Sequence, residues 1–261
     1  TIAAIAAMVG ELAEPVGGGD YSVGIGMPGS VSRLTGKVQT ANSTWINGRA
    51  FQADVETALQ HSVRLANDAN CLAVSEAHDG AGQGAASVFG VILGTGCGGG
   101  LVVDGQPISG HHSIGGEWGH NPLPWVKPDE QPGPTCWCGR TGCLETWLSG
   151  PGLSTDHFAH PGVQLSAEDI GRAAEAGDTQ ALATLPRHLD RCGRGMAHVV
   201  NIFDPEVIVI GGGLSGLSGL IEGLPGAIAP HVFADAVSIR VKAAMHGPES
   251  GVRGAARLWS R

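Results

Sequence analysis

The chain reads Ser87-Val88-Phe89-Gly90-Val91-Ile92-Leu93 and then, without a break, Gly94-Thr95-Gly96-Cys97-Gly98-Gly99-Gly100. The first seven residues are rich in β-branched and aromatic side chains, which is typical of a buried strand. The glycines after them predict a loop whose backbone N–H groups can approach phosphates, with the Thr95 hydroxyl as a further donor. A tight turn without a ligand is the alternative. No Gly-Lys-Ser/Thr follows, which excludes a Walker loop.

A second apolar strand further along the chain also ends in glycines. Residues 207–210 are all β-branched, and Gly211, Gly212 and Gly213 follow them directly. One such junction is weak evidence, because glycines commonly mark turns. Two junctions of this kind in one acidic chain favour a nucleotide site over a pair of empty turns.

Strands alternate with helices along the rest of the chain, which predicts an α/β fold. Further strands are predicted at 21–27 and 63–66, a hairpin at 101–108, and helices at 51–62, 75–81, 167–176 and 251–259. A long helix at 179–203 contains Pro186, which should kink or split it. The opening segment predicts a helix whose core-facing side carries Ile2, Ile5, Val9 and Leu12.

The composition excludes several classes of partner. The formal net charge is −9, and no cluster of cations is present to replace the counterions of a nucleic acid, so no nucleic-acid partner is expected. No apolar run approaches the roughly 18–20 residues that cross a membrane, so no membrane partner is expected. Three of the six cysteines fall within eight residues, which suits metal chemistry in a reducing cytosol better than a disulfide framework. A cytoplasmic location is therefore predicted.

The cysteine cluster predicts a structural zinc site. Cys136, Cys138 and Cys143 stand in a loop turned by glycines, and His120 lies upstream. Three thiolates and one imidazole make a closed tetrahedral ligand set, the usual form of structural zinc. A group of free or redox-active thiols is the alternative. The other three cysteines are expected to be small packed side chains, and they are Cys71, Cys97 and Cys192.

Three carboxylates are candidates for chemistry or for substrate binding. Asp68 stands between a predicted strand and a predicted helix, where it could be a general base, although the residues alone favour a helix N-cap. Glu117 and Glu145 bracket the cysteine loop. Carboxylates held there could accept hydrogen bonds from sugar hydroxyls, and ordinary surface charge is the alternative.

Together these strings resemble the ROK family of the actin-like ATPase superfamily, over nearly the whole chain. The resemblance is carried by 117–120 with 136–145, by 65–70, by 93–100 and by 209–213. The strings Asn42-Ser43-Thr44-Trp45 and 120–125 are most similar to the fructokinase/mannokinase branch rather than to the N-acetylglucosamine kinases.

The resemblance implies an actin-like ATPase (ribonuclease H-like) fold of two domains, at 1–68 plus 247–261 and at 69–246. It implies ATP-dependent phosphorylation of a hexose, with fructose as the expected substrate and mannose or glucose as further ones. The implied cofactors are ATP, Mg²⁺ bound with ATP, and a structural Zn²⁺. The implied oligomeric state is a homodimer. Asp68 would be the general base, and His120 would serve both zinc and sugar. The implied hexose-binding residues are Asn42, Asn67, Asp68, Glu117, His120 and Glu145. The implied nucleotide-binding residues are Gly94, Thr95, Gly96, Gly98, Gly99, Gly211, Gly212 and Gly213.

One departure from the family pattern concerns the start of the chain. The family begins with a strand and an Asp-x-Gly-Gly-Thr loop that contacts phosphate, and 17–20 has neither its order nor its context. The N-terminal strands of the first domain are therefore expected to be missing, by truncation or by degeneration, and the chain as given is expected to be nearly inactive. A non-catalytic or degenerate sugar-binding protein is the alternative function, and the retained Asp68 favours the kinase.

Overall fold

The computed structural model describes residues 1–16, 21–160 and 162–259, so the predicted absence of a phosphate loop at 17–20 concerns residues outside the described ones. The strands are β1 (Val23–Met27), β2 (Ser30–Val31), β3 (Val38–Gln39), β4 (Val63–Asn67), β5 (Ser87–Leu93), β6 (Cys97–Val103), β7 (Gln106–Pro107), β8 (Val207–Gly211) and β9 (Val241–Ala243). The α-helices are α1 (Ile2–Ala13), α2 (Phe51–Leu59), α3 (Asp68–Asp79), α4 (Glu145–Leu148), α5 (Gly150–Ala159), α6 (Ala167–Glu175), α7 (Thr179–Phe203), α8 (Leu220–Ile228) and α9 (Ser250–Ala256).

Two sheets contain the parallel strand pairs that matter for the site. The larger has the order β7-β6-β5-β8-β9, with β5 parallel to β8 and antiparallel to β6. The smaller is the parallel pair β1-β4. Strand β8 is buried along its whole length, as its β-branched sequence predicts, and its neighbours in the core come from α7 and α8. A second core cluster lies around β1, α2 and β4. The predicted α/β architecture is confirmed.

The glycine run after β5 differs from the predicted loop. Only Gly94–Gly96 form the turn, because the chain is already in strand β6 at Cys97. The later glycines serve close packing: a Cβ on Gly100 would lie 2.5 Å from the Ala69 carbonyl oxygen, and one on Gly99 would lie 2.7 Å from Trp118 Cδ1. Glycine here allows a strand to pass directly beneath α3.

Several helix predictions also need correction. Helix α3 begins at Asp68 rather than at 75, and α2 ends at Leu59. Helix α7 continues through Pro186 without splitting, and Leu182, four residues earlier, is half exposed, so water can replace the lost hydrogen bond there. In α1, Leu12 is 70% exposed and does not face the core, whereas Ile5 packs against it.

The helix that begins at Asp68 is anchored along its length. Its buried Glu76 accepts hydrogen bonds from the backbone N–H groups of Met245 and His246 and from the Ser250 hydroxyl. Burial alone would raise the pKa of Glu76, and these bonds lower it instead. The chain leading into α9 is thereby tied to the C-terminal half of α3. None of the helices in the described ranges combines the length and apolarity that a membrane span requires.

Candidate active site

Two cavities open at the carboxyl ends of the two parallel strand pairs. In the smaller sheet, β1 and β4 end opposite each other at Met27 and Asn67. In the larger sheet, β5 and β8 end beside each other, with Ile92 opposite Gly211. Ligands of open α/β sheets characteristically bind at carboxyl strand ends. We call the cavity at Asn67 the sugar-side cavity and the one at the end of β5 the nucleotide-side cavity.

The sugar-side cavity, of about 290 Å³, brings together residues from six separate stretches of sequence, at 28–29, 40–42, 67–68, 92–98, 117–120 and 137–145. All the residues expected to hold a hexose line it, and they are Asn42, Asn67, Asp68, Glu117, His120 and Glu145. Its remaining wall includes the turn after β5, through Thr95 and Gly96, and the first residues of β6. The predicted set is therefore one spatial cluster.

Asp68 lies at the first turn of α3, and it is not the helix cap. The cap is Asn67, whose Oδ1 accepts a hydrogen bond from the Ala69 N–H at 2.9 Å. The Asp68 Oδ1 accepts from the same N–H, also at 2.9 Å, and its carboxylate opens onto the cavity. Because Asn67 already caps the helix, the cap alternative for Asp68 is wrong, and its carboxylate is free for another role.

The sugar-side cavity concentrates negative charge. Burial between the cavity walls raises the pKa of Asp68, and the hydrogen bond from Ala69 partly opposes this rise. Burial likewise raises the pKa of Glu117, and the nearby charges of Asp68 and Glu145 raise it further. A carboxylate whose pKa is raised is a stronger proton acceptor than an ordinary one, which suits a general base.

Glu145 is held from two sides. Its Oε2 accepts a hydrogen bond from the Cys97 N–H at 3.1 Å, and its Oε1 accepts one from Trp137 Nε1 at 2.6 Å. Glu145 is also the first residue of α4. These contacts fix the carboxylate at the cavity wall, so it is not ordinary surface charge.

The predicted zinc ligands form a compact cluster. Ligand atoms of His120, Cys136, Cys138 and Cys143 all lie within 4.8 Å of one another. The Cys138 and Cys143 sulfurs are 3.7 Å apart, and His120 Nδ1 lies 3.5 Å from the Cys136 sulfur. Tetrahedral zinc with Zn–S bonds of about 2.3 Å places two sulfurs about 3.8 Å apart. The four residues therefore fit a zinc ion, which would bind His120 through Nδ1 and leave Nε2 for the cavity.

A buried network of ion pairs lies beside the cysteine loop at 136–143 and connects it to α7. Glu130, shortly before the loop, accepts hydrogen bonds from Arg191 and Arg194 of α7. Arg191 also pairs with Asp156 at 2.7 Å, and its guanidinium stacks on the Trp147 ring of α4. Burial alone would raise the pKa of Glu130, and these bonds lower it to about 2. The network ties the loop and α4 to the large core.

The nucleotide-side cavity is larger, about 780 Å³, and is lined mostly by small residues. Of the predicted nucleotide residues, it contains Gly94, Thr95 and Gly213. Gly212 shapes the turn beside it with φ 84°, where a side chain would meet the Leu93 carbonyl oxygen. Gly96 and Gly98 line the sugar-side cavity instead.

The remaining two predicted nucleotide residues serve the sheet. Gly99 packs under Trp118, and Gly211 ends β8 in the core. Neither lines the nucleotide-side cavity, so the glycine run gathers residues with three different tasks.

Thr95 lines both cavities and is their meeting point. The turn that carries it is fixed by two hydrogen bonds: Gly94 N–H donates to the Gly96 carbonyl, and Gly150 N–H donates to the Gly94 carbonyl. The second bond places the start of α5 against the turn. A phosphate bound in the larger cavity would therefore approach the smaller one at Thr95.

Residue-by-residue prediction missed part of both walls. The nucleotide-side cavity is also lined by α5 and α6, through residues such as Ser154, Gly171 and Arg172. No local motif marks these positions. Trp137 lines the sugar-side cavity as well, and its position between two zinc ligands was a signal that could have found it.

A sequence model of the ROK family matches residues 1–261. The chain belongs to the ROK family. Among its ROK relatives is an N-acetyl-D-glucosamine kinase of Aliivibrio salmonicida, 39% identical over 245 residues, with 92% of this chain and 81% of the relative covered. This finding does not confirm the predicted fructokinase/mannokinase branch.

Two solved ROK structures share the fold closely. The ROK hexokinase of Thermus thermophilus has a TM-score of 0.83 and 31% identity, and covers 98% of this chain and 84% of that one. A ROK glucokinase of Streptomyces griseus, in complex with glucose and AMPPNP, has a TM-score of 0.82 and 29% identity, with 98% and 86% covered. The predicted actin-like ATPase fold is confirmed, whereas the predicted domain boundaries and homodimer stay predictions.

Proposed function

We propose that this ROK protein catalyses ATP-dependent phosphorylation of a hexose, with Asp68 as the general base. The observation that carries the proposal is the position of the Asp68 carboxylate in a polar cavity that meets a second, larger cavity at Thr95. A sugar in the first and a triphosphate in the second would bring a hydroxyl and a γ-phosphate together there. Relatives and neighbours named as sugar kinases support the same activity.

The proposed reaction is an in-line transfer. Asp68 takes the proton of a sugar hydroxyl as that oxygen attacks the γ-phosphorus of ATP, and the bond to the bridging oxygen of ADP breaks. Glu117, Glu145 and Asn67 orient the sugar by accepting or donating hydrogen bonds to its other hydroxyls. Mg²⁺ bound with ATP supplies neutralisation of the phosphoryl oxygens.

Zinc has a structural role in the proposal. With His120, Cys136, Cys138 and Cys143 as ligands the set is closed, which leaves no position for a reacting water. The ion would hold His120 so that Nε2 faces the sugar, and would fix the loop that carries Glu145 and Trp137. No chemical step requires it.

The preferred hexose is the finer part of the proposal. Two short strings, Asn42–Trp45 and 120–125, suggested fructose, whereas the Aliivibrio salmonicida relative is named for N-acetyl-D-glucosamine. Identity of 39% across most of the chain outweighs two short strings, so we propose glucose or its 2-acetamido derivative, N-acetylglucosamine, ahead of fructose.

The test is a coupled assay of ADP release with the protein expressed from its complete reading frame. N-acetylglucosamine, glucose, mannose and fructose are compared under matched conditions, with a no-sugar control for ATP hydrolysis. Sugar-dependent ADP release supports the kinase, and the order of kcat/KM identifies the hexose. Tight sugar binding without ADP release from any sugar would favour the non-catalytic alternative.

A further inference from the structure

Trp137 is a large side chain that the proposed chemistry does not use. It stands between the two zinc ligands Cys136 and Cys138, lines the sugar-side cavity and is 52% exposed. A singly exposed apolar side chain is ordinary at a protein surface, so exposure alone implies no role for Trp137. Its distinguishing feature is its place in a cavity lined by carboxylates and amides.

Two contacts fix the orientation of the Trp137 indole. Its Nε1–H donates to Glu145 Oε1 at 2.6 Å, and its ring meets the His120 ring edge-on, with centroids 5.0 Å apart and planes at 87°. The polar edge of the indole is thus occupied by Glu145, and Trp137 is among the residues that line the cavity. An indole held in this way is a fixed wall rather than a mobile side chain.

Glu145 retains the capacity to bind sugar in this arrangement. Each oxygen of an ionised carboxylate has two lone pairs, and Glu145 spends one on Trp137 and one on the Cys97 N–H. One lone pair on each oxygen remains for a sugar hydroxyl. The indole N–H therefore sets the direction in which Glu145 presents these acceptors.

We propose that Trp137 is a sugar-contacting residue of this chain, which packs its indole against the C–H face of a pyranose and positions Glu145 through Nε1–H. The inference rests on the proposed hexose phosphorylation and adds a basis for its selectivity. A pyranose ring presents a broad apolar face of C–H groups to an aromatic ring, whereas a furanose presents a smaller and less flat one. Trp137 therefore selects for pyranoses such as glucose and N-acetylglucosamine and against fructofuranose.

Two substitutions separate the two parts of the role. Trp137→Phe keeps an aromatic ring and removes the donor to Glu145, and Trp137→Leu removes the ring as well. Trp125→Phe is the matched control, because Trp125 is 51% exposed and stacks on His231 outside both cavities. Zinc content is measured for every variant, since Trp137 neighbours two ligands.

In Trp137→Leu, KM and Kd for the pyranose substrate are expected to rise about three- to tenfold, with zinc retained. Its ratio of pyranose to fructose kcat/KM should fall by about the same factor. Trp137→Phe should keep most of the sugar affinity but have a lower kcat. Without the indole N–H, Glu145 is no longer held in the direction that orients the sugar. In the wild type and in Trp125→Phe, adding sugar should change the tryptophan emission, and that change should be absent from both Trp137 variants.

Unchanged sugar KM and selectivity in zinc-loaded Trp137→Leu would overturn the inference, as would a sugar-induced emission change that persists in both Trp137 variants. Loss of zinc together with affinity in both variants would assign Trp137 to the loop structure and also overturn it. Failure of the wild type to phosphorylate any hexose would refute the proposed function instead. The emission change on sugar binding still tests the Trp137 contact in that case.

Discussion

The two cavities of this protein are lined by different types of residue. The sugar-side cavity is small and its walls carry ionisable side chains, chiefly Asp68, Glu117 and Glu145, of which Asp68 and Glu145 are held by hydrogen bonds. The nucleotide-side cavity has more than twice the volume, about 780 Å³ against about 290 Å³, and most of its lining residues are small, chiefly glycine and serine. Its charged residues, such as Arg172, are exposed at its rim.

The difference follows from the ligands each cavity suits. Sugar hydroxyls are neutral and alike, so distinguishing them requires directional acceptors that are locked in place. Phosphates carry their own charge, and backbone N–H groups at turns and helix starts can bind them without any particular side chain. In the proposed function, the sugar side would therefore depend on supports such as the His120 and cysteine cluster and the Glu130 network, whereas the nucleotide side would depend on the shape of the backbone.

Replacement of the Asp68 carboxylate in the sugar-side cavity should have the largest effect on turnover. We expect Asp68→Asn to lower kcat by about 10²- to 10⁴-fold, because the proton acceptor is lost while the amide can still bind a hydroxyl. Steady-state kinetics and sugar-binding titrations check this. Wild-type turnover in this variant would transfer the role of base to Glu117 or Glu145.

The same variant should not lose stability. Asn67 remains the helix cap. Because the pKa of Asp68 is raised in the folded state, the folded protein binds its proton more tightly than the unfolded chain, and stability falls as pH rises through the window above the ordinary value of 3.8. The amide does not ionise, so Tm at pH 7 should equal or exceed that of the wild type, with the difference narrowing toward pH 4. A large drop in Tm would contradict this electrostatic account.

Loss of the ion network should weaken the support of the sugar side. Glu130→Gln leaves the buried guanidiniums of Arg191 and Arg194 short of an anion, and we expect about 3–5 kcal/mol less unfolding free energy in urea. The control is Glu206→Gln, which breaks an exposed pair with Arg240 and should cost less than about 1 kcal/mol. Equal effects of the two variants would refute the role of the network.

The depressed pKa of Glu130 adds a pH dependence to that comparison. A carboxylate with a lowered folded pKa contributes stability above its ordinary value of 4.5, and this contribution is lost as pH falls through about 2. The difference in unfolding free energy between wild type and Glu130→Gln should therefore shrink as the pH falls from 4.5 toward about 2. Urea unfolding at several pH values measures this.

Removal of zinc should separate the two cavities functionally. Cys143→Ser is expected to abolish stoichiometric zinc by elemental analysis and to weaken sugar binding about tenfold or more, with ATP binding nearly unchanged. Cys192→Ala is the control, because Cys192 is fully buried outside the cluster and should leave zinc in place. Wild-type protein purified without chelator and lacking zinc would rule out the metal.

A methyl group added in the nucleotide-side cavity should give the smallest effect of these changes. It should weaken ATP binding and leave sugar binding unchanged. At Gly213 a Cβ would meet nothing within 4 Å and would enter the nucleotide-side cavity, so Gly213→Ala should raise KM for ATP up to about tenfold, or about 1.4 kcal/mol. Sugar binding and Tm should not change. Gly226→Ala, equally unobstructed on α8, is the control. A matching rise in the control would mean that the methyl acts on the fold.

The residues predicted for the sugar side all line one cavity, whereas those predicted for the nucleotide side are divided between two cavities and the sheet. The chemistry of a carboxylate, a histidine or a thiolate can be inferred from the residue type, and all the predicted ones lie close together in space. The role of a glycine cannot be inferred in this way. Gly94 lines the nucleotide-side cavity, Gly98 lines the sugar-side cavity, and Gly99 lines neither. In a sequence, a glycine required for packing beneath Trp118 looks the same as one required by a ligand.

The sequence by itself determined the α/β order of elements, the membership in the ROK family and the four candidate metal ligands, because periodicity and the spacing of 136–143 are local properties of the chain. Only the tertiary structure decided which residue caps α3, which cavity each glycine serves and how Trp137 holds Glu145. It also decided the raised pKa of Asp68, because desolvation depends on cavity walls contributed by distant segments, the farthest of which carries Glu145. Capping, close packing and desolvation are set by neighbours in space, and a single sequence does not display those neighbours.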